Sequence, residues 1–529
     1  MTLGFPPWRR EALRTTLWVV PSGLLVAAVA LFAVTYHVDY RVYDGATLLP
    51  SWVRIESPDG ARQLLSALAA GVITVLGVVF SVTIVALTLA SQQFGPRMLR
   101  NFTRDLGTQT TLGSFVATFV FALLTLGTIG GGNRPETFVP QISVTVALVL
   151  VFANVLVLIY FIHHITVSIQ LPSVISAIAG SLSKAIDLQF PLAPEPGAQR
   201  IWATGRSVTN LRELLGSEGS VVTATKSGYL QFVGYERLVG IAAKHDTVVQ
   251  LLHRPGHFVT HGLPLARIWP PAPAHEVGAA LGRAHVTGPH RTLDQDPVFA
   301  IDQLVEIAIR ALSPAVNDTF TALTCIDWLA DGLCTISERD IPDGVHRDLS
   351  GAVRVVELGP SYPRMLNRAY DKIRQAGAEM PAVAIRLMES LGKVLAYTRD
   401  EAQRTALLRQ AQMIWRASQA GIREQEDLLE VRRRYDLLTT ALTSSRNAPR
   451  RAGPVQAGSL GARHPSLVQG IGEWAESQRG EEGQEAHQHG GGGDEGDEER
   501  GMRRQGAAAG WTDALASKRP GEGQHEDHR

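Results

Sequence analysis

The sequence is poor in sulfur and has no excess charge of either sign. Only two cysteines occur in 529 residues. Cys325 and Cys334 lack a C-x-x-C spacing, so they read as ordinary reduced thiols of a core. Lys plus Arg and Asp plus Glu both total 50, which leaves no basic surplus to mark a nucleic-acid partner. No Walker phosphate loop, G-x-S-x-G elbow, H-E-x-x-H helix or kinase-like set occurs. The expectation is a protein that is not an enzyme, with no catalytic residue, no metal and no cofactor.

A further absence is more informative. Four apolar runs, Leu17–Tyr36, Leu64–Ala90, Leu112–Gly130 and Val139–Ile162, have no Asp, Glu, Lys or Arg in their centres. Each is about 19 to 27 residues long, enough for a hydrocarbon core of about 30 Å. None shows the polar face of a soluble core helix. Arg9, Arg10 and Arg14 precede the first run like a signal n-region. The run is too long for an h-region and ends in Tyr36, His37 and Asp39 without a small-residue cleavage pattern. It reads as a retained first span.

The fold class expected is an α-helical membrane protein with four transmembrane helices. A cytoplasmic α+β region and a disordered tail follow. Arg9, Arg10 and Arg14, with Arg97, Arg100 and Arg104 after span two, favour both termini inside a bacterial inner membrane. Tyr36, Tyr40, Tyr43 and Trp52 fit an outer aromatic belt. Uncharged span centres argue against a proton- or sodium-coupled pump.

Span two carries a small or weakly polar stripe: Ala67, Ala70, Gly71, Thr74, Gly77, Ser81 and Thr88. Span three has a counterpart in Ser114, Thr118, Ala122 and Thr125, and Asn154 is the polar residue of span four. One reading is helix packing, in which small residues let backbones approach. The other is a narrow path lined by hydroxyls. After span two, Pro96 starts an interfacial helix with Arg97, Arg100 and Arg104 on one face. These arginines either anchor the positive-inside end or contact lipid headgroups or anions. His163 and His164 close span four and suit interfacial hydrogen bonding better than a shared metal.

Three segments, SQQFGPRMLRNFTRD from Ser91, SGYLQFV from Ser227 and ALSPAVNDTFTALTCIDWL from Ala311, resemble a family of bacterial predicted membrane proteins of unknown function, domain of unknown function 2254. The likeness runs from the first span to about residue 440. It implies membrane location and architecture, and no reaction, ligand or catalytic residue.

The organisation expected is a cytoplasmic N-terminus (1–16), a membrane domain (17–165), a helical linker (166–219), a small β-rich domain (220–272), a mainly helical domain (273–445) and a disordered tail (446–529). VVTATKSGYLQFV reads as two strands about a Ser227-Gly228 turn. The later G-x-F-V-x-x-G-x-P-L pattern looks like a barrel-sandwich fold of the biotinyl or lipoyl type. Lys244 sits in Ala-Lys-His-Asp, which departs from the carrier pattern, so no prosthetic group is expected. His253, His257 and His261 read as loop and surface residues, because Pro255 and Gly256 break a helical metal face. Asp296 and Pro297 start a helix with Val298, Ile301, Leu304, Val305, Ala308 and Leu312 inward and Asp302 and Glu306 outside. Asn317 or Asp318 caps the next helix, which buries Phe320, Leu323, Cys325, Ile326 and Leu329. Asp294, Asp296, Ser313, Asn317 and Asp318 either cap helices or converge as a polar ligand-facing loop. The Gly-, Glu- and His-rich tail has too little apolar area to order.

Two functions remain open: a channel-like or transport-related protein gated by its soluble region, and a membrane-anchored scaffold or sensor. The partners expected are the lipid bilayer, further copies of the chain as a homo-oligomer, and an unknown cytoplasmic partner, with no nucleic acid.

Overall fold

The computed structural model describes residues 18–44, 57–94, 105–129, 138–192, 206–271, 274–293 and 295–447. Arg97, Arg100, Arg104 and Asp294, with the basic N-terminus and the tail from 448, lie outside the described residues.

The chain opens with α1 (Val19–Asp44), α2 (Pro58–Phe94), α3 (Leu106–Gly127) and α4 (Gln141–Ser168). α3 is central and packs against the other three. Its Gly113 faces α1 so closely that a Cβ there would lie 2.9 Å from the Pro21 Cα. Leu65, Phe121, Val144 and Ala147 fill the seam between α2, α3 and α4.

α4 cannot cap its own start. Pro140 precedes it and offers no side-chain acceptor, so the first free N–H groups need a partner from elsewhere. Asp39 of α1 supplies it. One carboxyl oxygen accepts from the Ile142 N–H at 2.7 Å, and the other from the Ser143 N–H at 2.9 Å and its hydroxyl at 2.6 Å. A second carboxylate acts near the other end of α4. Asp105 caps α3 through the Thr108 N–H at 2.8 Å and also meets His164 Nε2 of α4 at 2.9 Å. Burial raises the Asp105 pKa, but its hydrogen bonds with Thr108 and His164 outweigh that and leave it below the usual carboxylate value. Gly107 is required beside it, since a Cβ would stand 2.6 Å from His164 Nε2. Ser143 and His164 are about 32 Å apart along the helix at 1.5 Å per residue, close to the thickness of a bilayer core.

α5 (Leu171–Gln189) follows directly. Five helices, α1 to α5, are long and apolar enough to cross a membrane by length and composition, where the sequence runs gave four. The fifth differs in how its faces are used. Val174, Ile175, Ile178, Leu182 and Ile186 are buried, whereas Ser183, Lys184 and Asp187 are exposed.

The remaining elements are α6 (Arg206–Ser217), β1 (Ser220–Thr223), β2 (Gly228–Val233), α7 (Tyr235–Lys244), β3 (Val248–Leu251), β4 (Phe258–Val259), β5 (Pro264–Trp269), α8 (Ala274–Ala284), β6 (His285–Gly288), α9 (Pro297–Ala311), α10 (Thr319–Glu338), β7 (Val345–Arg347), β8 (Val353–Val356), α11 (Tyr362–Ala376), α12 (Pro381–Leu395), α13 (Glu401–Gly421) and α14 (Gln425–Asn447). The strands form a five-stranded sheet in the order β1-β5-β3-β8-β7 and a three-stranded sheet β4-β2-β6. The β3–β8 pair is parallel.

This corrects the barrel-sandwich expectation. β1 and β2 do not form a hairpin: β1 pairs with β5, and β2 pairs with β4 and β6. Gly228 lies so close to β6 that a Cβ would stand 2.8 Å from the Gly288 carbonyl. Lys244 ends a helix rather than tipping a hairpin. β6, β7 and β8 come from beyond residue 272, so the sheets draw on chain inside the expected helical region.

α9 and α10 sit in the middle of the helical core, with α5, α11, α12, α13 and α14 around them. Two expectations about this pair need correction. Asp302 is buried rather than outside, because α9 is covered on nearly every side. Phe320 is 83% exposed rather than buried, because it lies in the first turn of α10, away from the face carrying Cys325, Ile326 and Leu329.

Replacing Asp39 tests the cap. Asp39→Ala strips the partner from two backbone N–H groups and is expected to cost about 1–3 kcal/mol. Asp39→Asn, which keeps one acceptor oxygen, should cost less. Thermal unfolding in detergent reads both, and equal Tm values for all three proteins would contradict the cap.

Candidate functional site

Two polar arrangements stand apart from ordinary packing. The first lies in the helix bundle. Ala67, Ala70, Gly71, Thr74, Gly77, Ser81 and Thr88 of α2 are all exposed. The stripe therefore faces out of the bundle, and no neighbouring atom lies within 4 Å of a Cβ placed on Gly71 or Gly77. Its threonine hydroxyls donate to their own helix, Thr74 to the Ala70 carbonyl at 2.7 Å and Thr88 to the Ile84 carbonyl at 2.9 Å. The α3 stripe faces inward: Thr118, Ala122 and Thr125 are buried and Ser114 is half-buried. Ser114 and Thr125 also donate back to their own helix, to the Thr111 and Phe121 carbonyls. The fold thus turns the two stripes different ways and does not bring them together.

Asn154 is 4% exposed, and its amide nitrogen has no hydrogen-bond partner. It lines a cleft of about 250 Å³ whose other walls are apolar and include Gly71, Val75, Phe115 and Leu158.

The second arrangement joins the sheets to the helical core. Arg291, from the segment between β6 and α9, reaches Asp296 at 2.6 Å and Asp302 at 2.5 Å. Arg368 of α11 also clasps Asp302, donating from Nε and, at 2.9 Å, from Nη2. Both carboxylates are buried, so they require such partners. Asp296 packs against Gly256, whose φ of +90° and lack of a side chain permit the approach.

Arg254 lies at the rim of this cluster. Its Nε donates to His257 Nε2 at 3.1 Å, so that nitrogen carries no proton. Burial first, then the charges of Arg254, His253, Arg364 and Arg291, push the His257 pKa down to about 4. Burial also lowers the Arg254 pKa, opposed by Asp296 and reinforced by Arg364 and Arg291. Among the described residues neither Arg254 nor Arg364 forms an ion pair; Arg254 is half-buried, holds His257, and feels the nearby charges of Asp296 and Glu357. Nearby, Tyr235 donates to Glu357 at 2.5 Å, and its ring stacks on His346.

Of the residues that either cap helices or converge as a polar loop, the four that are described do not come together. Asp296 stands at the start of α9, while Ser313, Asn317 and Asp318 stand beyond its end, about 22 Å away at 1.5 Å per residue. Ser313 donates to the Arg310 carbonyl, and Asn317 takes a left-handed turn at φ +49°. Asp318 caps α10 through the Thr321 N–H at 3.1 Å. Asp296 occupies the cap position of α9 but makes no side-chain cap bond and pairs with Arg291 instead. Among the described residues no group of three or more His, Cys, Asp or Glu could hold a metal.

The apolar helices and the α+β region behind them define a membrane protein with a folded extramembrane part. The chain belongs to the family described as predicted membrane protein (DUF2254), which matches residues 14–393. Among its relatives are two uncharacterised proteins, Rv1290c of Mycobacterium tuberculosis and Mb1321c of Mycobacterium bovis. Each is 31% identical over 428 residues, covering 79% of this chain and 80% of the relative. No solved structure matches.

Arg291→Met would leave Asp296 unpaired and Asp302 with one partner. Removing one side of a buried pair costs about 3–5 kcal/mol, so a marked fall in the denaturant midpoint of the extramembrane region is expected. Stability within about 0.5 kcal/mol of wild type would show that the pair is solvated in practice.

Proposed function

We propose that this protein is a four-span anchor in the bacterial inner membrane for a cytoplasmic region that senses or scaffolds an anionic partner, and that it is not an enzyme. The carrying observation is how the hydroxyls are used: on α2 they face out of the bundle, and on α3 Ser114 and Thr125 turn back to their own helix. One copy therefore offers little with which to line a polar path. The count of four rests on α5, whose apolar face is part of the extramembrane core and whose other face carries Lys184 and Asp187. The even count agrees with both termini inside, as do Arg9, Arg10 and Arg14. The partner's charge follows from Arg254 and Arg364, which form no ion pair among the described residues, although Asp296 and Glu357 lie near Arg254. α9 of that junction also touches α2, which links the extramembrane region to the membrane helices.

A path formed between copies is the second reading, and the outward position of Thr74, Ser81 and Thr88 favours it. Ion and small-solute flux through liposomes separates the two. The anchor reading expects no flux above protein-free liposomes across pH, voltage and tension. Flux that Ser81→Trp abolishes would overturn it in favour of the path.

A further inference from the structure

α5 and α10 run side by side in the same direction. A Cβ on Gly332 of α10 would stand 2.6 Å from Leu182 of α5, and the Asp340 N–H donates to the Pro191 carbonyl at 3.0 Å. Both contacts join residues about 150 positions apart, so the two helices hold one register between them. Continued toward their starts, that register sets Phe320, in the first turn of α10, level with Gln170. Gln170 is the link between α4 and α5. Ile169 before it packs with the membrane helices, and Leu171 after it packs on the helical core. The turn between α9 and α10 therefore lies where the chain leaves the bilayer. The contact of α9 with α2 agrees with that level.

This turn shows apolar side chains to its surroundings. Pro314, Ala315 and Val316 are exposed, and Phe320 is 83% exposed. Its backbone, by contrast, is paired locally. The Ser313 N–H donates to the Arg310 carbonyl, the Val316 and Asn317 N–H groups to the Ser313 carbonyl, and the Asp318 N–H to the Ala311 carbonyl. The Asp318 carboxylate accepts from the Thr321 N–H and hydroxyl. Backbone groups paired in this way can enter a medium that offers no hydrogen bonds, whereas unpaired ones cannot without a large cost. Apolar side chains on such a backbone suit the boundary between headgroups and acyl chains.

We propose that the turn at residues 313–320 dips into the leaflet next to the extramembrane region, with Val316 and Phe320 among the acyl chains and Asn317 at the headgroups. Lipid is the occupant because the turn is level with the end of α4, whose Ile162 and Val167 are exposed as lipid-facing residues of the same leaflet. The helical core is thereby held to the membrane at a second point besides the α4–α5 link. The inference rests on the reading that α5 lies outside the membrane, since α10 shares its register.

The test uses the full-length protein in lipid nanodiscs, with a nitroxide spin label on Val316→Cys, Phe320→Cys or Lys184→Cys. Burial pushes the Cys325 and Cys334 thiols up to about 12, so they react slowly, and wild type treated with the label supplies the background. Lys184 is on the exposed face of α5, about 20 Å beyond its start. Power saturation compares collision with oxygen, which concentrates among acyl chains, and with a water-soluble nickel chelate. Oxygen is expected to exceed nickel severalfold at 316 and 320, and nickel to exceed oxygen at 184. All three positions are exposed, so the variants should fold, and an unchanged unfolding temperature checks this. Nickel-dominated collision at 316 and 320 as well as at 184 would overturn the inference while leaving α5 outside the membrane. Shielding of 320 from both reagents would overturn it in favour of a cover by another segment or a second copy. Oxygen-dominated collision at 184 would instead overturn the reading of α5 on which the inference rests.

Discussion

A helix that begins at the edge of a bilayer has N–H groups that neither lipid nor its own turns can satisfy. In α4 the residue at the cap position is Pro140, which provides no acceptor. Asp39 therefore acts across helices, and this contact fixes α1 against α4 in both depth and rotation. The Asp105–His164 contact does the same between α3 and α4 at the opposite end. Arg62 of α2 adds a fourth helix to this scheme by donating to the Ile129 carbonyl just past α3, at 3.0 Å. Between those polar ends the contacts are apolar or small, and they gain direction from the ends rather than from chemistry of their own.

The extramembrane region applies the same logic in a drier setting. α9 is buried on nearly all sides and still carries Asp302. A lone carboxylate there would be costly, and Arg291 and Arg368 arrive from two different elements to neutralise it. Their convergence ties α11 and the segment after β6 to α9, and hence the sheets to the helices. Arg254 and Arg364 add positive charge at the edge of that knot and help hold the His257 imidazole neutral.

Much of this was legible in the sequence because it is local. Span length, the Asp318 cap, the inward face of α10 at Cys325, Ile326 and Leu329, and a hydrogen-bonding role for His164 each follow from residues within a few turns. What was not legible is pairing across long separations. Nothing near Asp39 in the chain announces Ser143, and nothing near Asp302 announces Arg368. Periodicity says which residues share a helix face but not what that face meets, so the stripes of α2 and α3 looked alike and turned out to face opposite surroundings. The strands failed for a related reason: β1 and β2 are adjacent in sequence, yet their partners β5, β4 and β6 come from further along.

The account depends most on α5 being an extramembrane helix that shares the core behind the four preceding helices. Cysteines placed at Lys184 on its exposed face and at Leu349 in the β7–β8 turn can be probed with a membrane-impermeant maleimide in right-side-out and inside-out vesicles. The account predicts that both label in inside-out vesicles alone. Protection of position 184 from both sides, or labelling of both positions in right-side-out vesicles alone, would make α5 a fifth crossing and contradict it.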